Sequence, residues 1–180
     1  MLLTRKHIGQ INLPNGTVDV TDPCYDRDVW CRTTIDIAPG IYNCYAYEGT
    51  EKGWGNRVWI NQIVAADLEL AAVAEEKIAG NRSWISVGEI GVDAGMAGFF
   101  DSKPDFDDEQ WYALCESMRE TKVKIHNPSC WAKSPYNKTN PLNSWKNDGF
   151  WTDSGIGDGG YPVYAIKHKG QIIALETRFL

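Results

Sequence analysis

Four aspartates stand in turn-forming or glycine-rich segments next to apolar runs, and they are the side chains of this sequence best suited to chemistry. They are Asp22, Asp93, Asp101 and Asp158. Clustered carboxylates can bind Mg²⁺ or Ca²⁺, or divide acid and base roles once burial separates their pKa values. Aspartate is also common in turns because it accepts hydrogen bonds from nearby backbone N–H groups, and this structural role is the favoured interpretation. A catalytic or metal-binding role stays open for Asp22, Asp93 and Asp158, with a divalent cation as the only cofactor considered and none predicted.

Asp158 lies in a stretch where four glycines occupy six consecutive positions, 155–160. Glycine allows positive φ and close approach of a ligand or a strand, so residues 153–164 are predicted to form a shaped loop at the rim of a sheet. The stretch precedes a strand, so it lacks the strand-to-helix context of a phosphate-binding loop, and it also lacks the ligand spacing of an EF-hand. Residues 92–101 combine aspartate and small residues in the same way and form a second candidate rim.

Cysteine and aromatic residues supply the remaining candidates. Cys24 could act as a nucleophile if a histidine came within reach, but the three histidines are far apart in sequence, so a packed thiol is favoured. Tryptophan rings such as Trp54 could stack on a base or a sugar if they lie at loop ends, although core packing is the favoured role, and Arg57 could meet a phosphate. The residues predicted to bind a ligand are Asp22, Tyr25, Trp54, Arg57, Asp93, Asp158 and Tyr161.

The elements that must position these residues are mostly strands. Asn15-Gly16 between apolar runs predicts a hairpin of residues 8–13 and 17–21, with Val18 and Val20 facing the core. Pro39-Gly40 predicts a second hairpin, and Lys169-Gly170 predicts a final one, whose first strand begins at a sheet edge because of Pro162. Helical spacing of apolar residues predicts helices over 67–80, capped by Asp67, and over 107–120, while the prolines within 126–149 indicate a long irregular loop.

These elements predict a mainly β fold of the α+β type. Short strands at close spacing are typical of an antiparallel β-sandwich or barrel, here with about eight strands and one or two helical insertions. The chain has 180 residues and shows neither repeat nor linker, so residues 1–180 are predicted to form a single domain.

Charge and composition exclude some functions. The chain carries 18 basic and 24 acidic side chains, a net charge of −6, so nucleic acid is an unlikely partner because phosphate binding needs a positive face. Nowhere do about 18 apolar residues follow one another, and no signal-peptide core is present, so no membrane association and a cytoplasmic location are expected. The five cysteines are then thiols without metal-site or disulfide spacing.

Several segments together resemble small uncharacterised proteins of bacteria and their phages, of the domain-of-unknown-function type, over residues 8–179. The segments are Asp22-Pro23-Cys24-Tyr25, Trp30-Cys31, Pro39-Gly40-Ile41-Tyr42, Trp54-Gly55-Asn56-Arg57-Val58, Gly91-Val92-Asp93-Ala94-Gly95 and Ser154-Gly155-Ile156-Gly157-Asp158-Gly159-Gly160-Tyr161. The resemblance implies a compact, often phage-encoded domain and no established activity. Residues 129–149 depart from the pattern, which is where a partner-specific function is expected.

Two hypotheses about function follow. The first is a binding or inhibitory module that captures a small ligand, nucleotide-like for example, or a host protein at the glycine-rich acidic loops. The second is a metal-assisted hydrolase or nuclease in which Asp22, Asp93 and Asp158 hold an ion that activates water. The lack of an assembled catalytic set favours the first, and the oligomeric state is left open.

Overall fold

The computed structural model describes residues 1–23, 32–80, 83–102 and 149–180. Within these ranges the chain forms ten strands and one helix, α1, at Leu68–Gly80. The strands are β1 Thr4–Leu13, β2 Thr17–Thr21, β3 Thr33–Asp36, β4 Gly40–Glu51, β5 Gly55–Ala65, β6 Ile85–Val92, β7 Met96–Asp101, β8 Gly149–Asp153, β9 Gly159–His168 and β10 Gln171–Arg178. The predicted helix at 107–120 and residues 126–148 of the predicted loop at 126–149 lie in the part of the chain that is not described, and Gly149 begins β8.

The strands form two antiparallel sheets that pack as a sandwich. The large sheet has the order β1-β4-β5-β10-β9-β6, and the small sheet has the order β3-β2-β7-β8. Apolar side chains from both sheets fill the space between them, and Phe99 of β7 stacks on Phe150 of β8 with ring centroids 6.3 Å apart. The predicted mainly β, antiparallel fold is confirmed, as a sandwich rather than a closed barrel and with ten strands rather than about eight.

Two of the predicted hairpins are wrong, because both turns carry the chain from one sheet to the other. The turn at Gly16 forms, with φ of 68° and its N–H donating to the Leu13 carbonyl at 3.3 Å. However, β1 pairs with β4, whereas β2 pairs with β3 and β7. The Pro39-Gly40 turn likewise leads from β3 in the small sheet to β4 in the large one. A turn sequence fixes the reversal of the chain but not the pairing, and here both flanking strands bury their apolar faces in the shared core.

The closing hairpin, the buried valines of β2 and the capped helix α1 are confirmed. β9 and β10 form the final hairpin through Lys169 and Gly170, and Val18 and Val20 are fully buried. The Asp67 carboxylate caps α1 by accepting the N–H groups of Glu69 and Leu70, each at 3.1 Å. The prediction for Pro162 needs correction, since β9 lies between β10 and β6, although its residues 159–162 pair with β6 alone.

Gly98 tests how closely the strands of the small sheet pack. A Cβ at this position would collide with the Phe150 carbonyl oxygen and lie 2.7 Å from Trp151 Cβ. We expect Gly98→Ala to destabilise the fold by about 1–3 kcal/mol, since overpacking forces backbone shifts. Gly80→Ala, where a Cβ meets nothing within 4 Å, is the matched control and should be neutral or gain up to about 1 kcal/mol. Urea unfolding of both variants measures the difference, and equal effects would contradict this account.

Candidate functional site

The sandwich brings three of the four predicted aspartates to one end. Asp22 follows β2, residues 93–95 carry the chain from β6 to β7, and residues 154–158 carry it from β8 to β9. Both loops cross between the sheets, and the pairing of Val92 with Gly159 and of Met96 with Asp153 places them side by side. We call Asp22 with residues 93–95 and 154–158 the loop end.

Asp101 is the aspartate that the fold separates from the others. It pairs with Val18, while Gly98 of the same strand pairs with Thr21 next to Asp22. Asp101 therefore lies at the opposite end of the small sheet, where its side chain is buried and accepts a bond from Asn15 Nδ2 at 3.5 Å. The fold therefore does not gather all four aspartates, because β7 carries Asp101 away from the loop end.

Asp22 is a buried supporting residue. Its side chain has no exposed surface, and one carboxylate oxygen, Oδ2, accepts the backbone N–H groups of Asp93 at 2.8 Å and Ala94 at 2.7 Å. Hydrogen bonds to an ionised acceptor are about twice as strong as neutral ones. The carboxylate thus fixes the first crossing loop to the end of β2, which is the structural role that aspartate often plays in turns.

The second crossing loop is fixed by Ser154 and Tyr161. The Ser154 N–H donates to the Gly95 carbonyl at 3.2 Å, which joins the two loops. Ser154 Oγ and the Tyr161 hydroxyl both donate to the Gly157 carbonyl at 2.8 Å. Tyr161 was predicted to bind a ligand, but its ring is buried against Phe179, and burial together with the negative charge of Asp158 raises its pKa. Its contacts support the loop.

Two glycines of this loop adopt backbone that other residues avoid. Gly155 has φ of 56° and Gly157 has φ of 110°. A Cβ on Gly155 would also lie 2.7 Å from the Phe179 carbonyl oxygen. Glycine is therefore required here both by conformation and by close approach, as the sequence predicted.

The fixed loops present exposed side chains to solvent. Asp93 and Asp158 are exposed, and Ile156 between the glycines is 47% exposed. Neither carboxylate accepts a hydrogen bond from another described residue. The loop end therefore offers two charged groups and one apolar group that its own loops do not use.

A groove of about 310 Å³ lies beside the loop end and is lined by Glu89, Ile90, Gly91 and Gly160. It lies on the β6–β9 pair, where the two strands enter the crossing loops. A larger cavity of about 430 Å³ lies at the opposite end of the large sheet, and its lining consists of Glu69, Leu70, Val73, His168, Lys169 and Gln171. None of the predicted site residues lines that larger cavity.

The remaining predicted site residues are elsewhere or outside the described ranges. Trp54 is 47% exposed at the tip of the β4–β5 hairpin, and Arg57 Nε donates to its carbonyl at 3.1 Å. Trp59 of β5 lies next to Gly155 of the second crossing loop. Gly55 at the hairpin tip is four residues further along the strand, which corresponds to a distance of roughly 13 Å from Trp59. Trp54 and Arg57 therefore belong to a projecting hairpin and not to the glycine loops. Cys24 and Tyr25 lie outside the described residues.

The geometry that an aspartate metal site requires is not found in the described ranges. No three His, Cys, Asp or Glu side chains of the described residues come together closely enough to hold a metal ion. Asp22 also has its carboxylate turned to backbone N–H groups. The hydrolase hypothesis therefore gains no support from Asp22, Asp93 and Asp158.

Sequence reasoning missed a polar network on the outer face of the large sheet. Arg5 of β1 forms a two-pronged salt bridge with Glu75 of α1 at 2.7 and 2.8 Å, and its guanidinium lies 3.6 Å from the centroid of the Tyr45 ring. Arg5 also donates to Gln62 Oε1 at 2.8 Å, as does the Tyr47 hydroxyl at 3.2 Å. These contacts tie α1 to three strands.

The network continues across the next strand. Gln62 Nε2 donates to Glu176 Oε2 at 3.0 Å, and the other carboxylate oxygen of Glu176 accepts from Arg178 Nε at 2.6 Å. The Arg178 guanidinium lies 4.3 Å from the centroid of the Tyr164 ring. Polar residues alternate along these strands at outward positions, and that alternation is the sequence signal that could have revealed the network. Apart from Arg5 Nε, which is buried without a partner among the described residues, the bonds named here join its donors and acceptors to one another, which makes it a brace for α1.

Fold and site together define a class: an antiparallel sandwich with one helix on its outer face and two fixed, glycine-rich loops crossing at one end. The chain belongs to the DUF4241 family of proteins of unknown function, which matches residues 11–177. Searches of curated proteins and of solved structures found no match. None of the described helices is long and apolar enough to span a membrane.

Asp22 and Asp93 form a matched pair for testing which carboxylate supports the fold. We expect Asp22→Asn to lower the free energy of unfolding by about 1.5–3 kcal/mol, because a buried charged acceptor of two hydrogen bonds is lost. Asp93→Asn changes an exposed group and should stay within about 0.5 kcal/mol of wild type. Urea unfolding at neutral pH compares the two, and similar losses in both variants would show that Asp22 has no special role.

Glu176 should make the stability of the fold depend on pH. Burial raises its pKa above the ordinary 4.5, although Arg178 and Gln62 oppose the shift. Because the folded state then binds the proton more tightly than the unfolded state, stability falls as pH rises from 4.5 through the raised pKa. Glu176→Gln does not titrate. The stability of wild type relative to this variant should therefore decrease with rising pH.

Urea unfolding at a series of pH values from about 4 upward measures this gap. Glu51→Gln, which removes an exposed carboxylate, is the control and should follow the wild-type pH profile. A wild-type advantage over Glu176→Gln that stays constant or grows with pH would contradict the assignment.

Proposed function

We propose that this protein is a binding module that captures a partner protein at the loop end. The observation that carries the proposal is the fixed geometry of the two crossing loops, held by the Asp22 carboxylate and by the bond from Ser154 to Gly95. A surface that is ordered before binding loses less conformational entropy when a partner docks. The loops are thus built as a rigid platform.

The side chains on this platform support binding better than catalysis. Asp93 and Asp158 are exposed, and Ile156, two residues before Asp158, is half exposed. An apolar contact accompanied by charges suits a protein interface, where the charges set orientation and partner choice. No nucleophile, base and orienting group come together at the loop end among the described residues.

A protein partner is favoured over a nucleotide-like ligand. Phosphate recognition needs cations, and the exposed charges of the described loop end are carboxylates. Arg57, the described candidate for meeting a phosphate, lies on the projecting hairpin, where its Nε is bonded to the Trp54 carbonyl. The Trp54 ring on that hairpin is exposed and adds a second apolar contact at the same end of the large sheet.

We extend the proposal to a host protein as the partner and to a phage-encoded origin with action in the host cytoplasm. The support is the resemblance of the segments around Asp22, Asp93 and Asp158 to proteins of bacteria and their phages. An inhibitory role follows if the partner loses activity when the loop end covers it.

Capture from bacterial lysate with paired variants tests the function. The loop-end variant combines Asp93→Asn, Ile156→Ser and Asp158→Asn. The control variant combines Leu68→Ser, Glu69→Gln and Glu76→Gln, which removes the same number of charges and an 88% exposed leucine from α1. A protein retained by wild type and by the control is identified, and its affinity is then measured by surface plasmon resonance.

We expect the loop-end variant to bind that protein at least about tenfold more weakly, since lost charged and apolar contacts at an interface cost about 1–2 kcal/mol or more. Binding that survives in the loop-end variant would refute the proposal. Calorimetry against nucleotides, sugars and divalent cations is the parallel experiment. A small ligand whose binding is lost only in the loop-end variant would replace the protein partner.

A further inference from the structure

Two glycines face each other directly across the β6–β9 ladder, beside the loop end. Gly91 pairs with Gly160, and their neighbours Ile90 and Tyr161 point into the core. Because side chains alternate between the two faces of a strand, the glycines leave two adjoining positions on the outer face without side chains. The groove of about 310 Å³ is lined by these two glycines together with Glu89 and Ile90, and of the two glycines Gly160 is exposed whereas Gly91 is buried.

Glu89 places a carboxylate at the wall of this groove. A Cβ on Gly160 would lie 2.6 Å from Glu89 Oε1, so the carboxylate rests against the backbone of Gly160. The Glu89 backbone is held from the other side, because its carbonyl accepts a bond from Thr33 Oγ1 at 2.7 Å. Glycine at position 160 is therefore what allows the carboxylate to lie over the groove.

The Glu89 carboxylate is not used within the described part of the fold. It forms no hydrogen bond and no ion pair with the residues described, and the side chain is exposed. Two other carboxylates on the strands are paired, Asp19 with Arg32 and Thr34 and Glu48 with Lys6, whereas among the described residues Glu89 shares its unpaired state with Asp93 and Asp158 of the loop end. A cavity with an ordered, uncompensated carboxylate at its wall favours a cation as its occupant.

The edge of β6 excludes an added strand at this point. Thr33 Oγ1 of β3 already donates to the Glu89 carbonyl at 2.7 Å, and a Cβ on Gly88 would collide with the Thr33 side chain, so β3 packs against β6 here. An extended backbone therefore cannot pair with β6 at the Glu89 carbonyl, and the groove suits a side chain better than an added strand.

We propose that the groove binds an arginine side chain of the partner protein, with the guanidinium lying on the exposed Gly160 backbone and paired with Glu89. Arginine fits better than lysine, because its planar fork can form two parallel bonds to one carboxylate and can lie flat on a floor without side chains. Asp93 and Asp158 each lie two residues from a groove glycine, within about 8 Å along the chain, and add negative potential. This inference rests on the proposed function and specifies the chemistry of the partner.

An NMR titration of the full chain tests the groove without the partner. The probe is N-acetyl-arginine amide, and its control is N-acetyl-citrulline amide, which has nearly the same shape and no charge. We expect saturable shifts of the Gly91 and Gly160 amide signals with the arginine probe. Glu89→Gln should weaken this binding at least about tenfold, as the loss of a charge-assisted pair predicts. Glu76→Gln removes an exposed carboxylate of α1 and should bind the probe as wild type does.

Three outcomes would overturn the inference: equal shifts with the citrulline probe, unchanged affinity in Glu89→Gln, or shifts that avoid Gly91 and Gly160. The spectra themselves report whether each variant is folded. Failure here is distinct from failure of the proposed function, since a partner lost in the loop-end variant but retained by Glu89→Gln leaves the platform in place and removes only the groove. Loss in both variants, with arginine-specific shifts, supports both proposals.

Discussion

The pair of hydrogen bonds from the backbone N–H groups of Asp93 and Ala94 to the buried Asp22 carboxylate is the constraint on which the loop end of this protein depends. It joins the end of β2 in the small sheet to the loop that leaves β6 in the large sheet. A charged acceptor without exposure to water must be compensated, and the two N–H groups of the loop provide that compensation. The position of the loop and the burial of the charge therefore require each other.

The second crossing loop depends on the first. Ser154 bonds to Gly95, and the Gly157 carbonyl accepts from both Ser154 and Tyr161. Because the Gly157 N–H also donates to the Ser154 carbonyl at 2.9 Å, the turn is closed by its own bonds while Ile156 and Asp158 are exposed. The glycines of this loop thus determine the conformation of its backbone. The exposed side chains between them are the groups that a partner would contact.

The polar network on the outer face of the large sheet differs from the loop end, because its side chains bond to one another, whereas the two carboxylates that the loop end presents face solvent. Arg5, Gln62 and Glu176 come from three strands, yet each donates to or accepts from the next, and Glu75 attaches α1 to the same chain of bonds. Networks whose members are all bonded fix one arrangement of a fold, because breaking any bond leaves a buried polar group unpaired. These groups have the chemical types of an active site, and their mutual pairing explains why they brace the helix.

The sequence by itself determined the local features: the mainly β class, the helix capped by Asp67, the closing β9–β10 hairpin, the buried faces of Val18 and Val20, and the need for glycine at 155 and 157. Each follows from side-chain periodicity or from φ preferences within a few residues. The tertiary structure alone decided which strands pair, that the turn at Gly16 crosses between sheets, and that Asp101 leaves the other aspartates. It also decided that Asp22 binds a loop 71 residues away and that Arg5 meets Glu75 across 70 residues. Alternation shows which face of a strand is buried, but the neighbour of that strand is chosen by packing over the whole core.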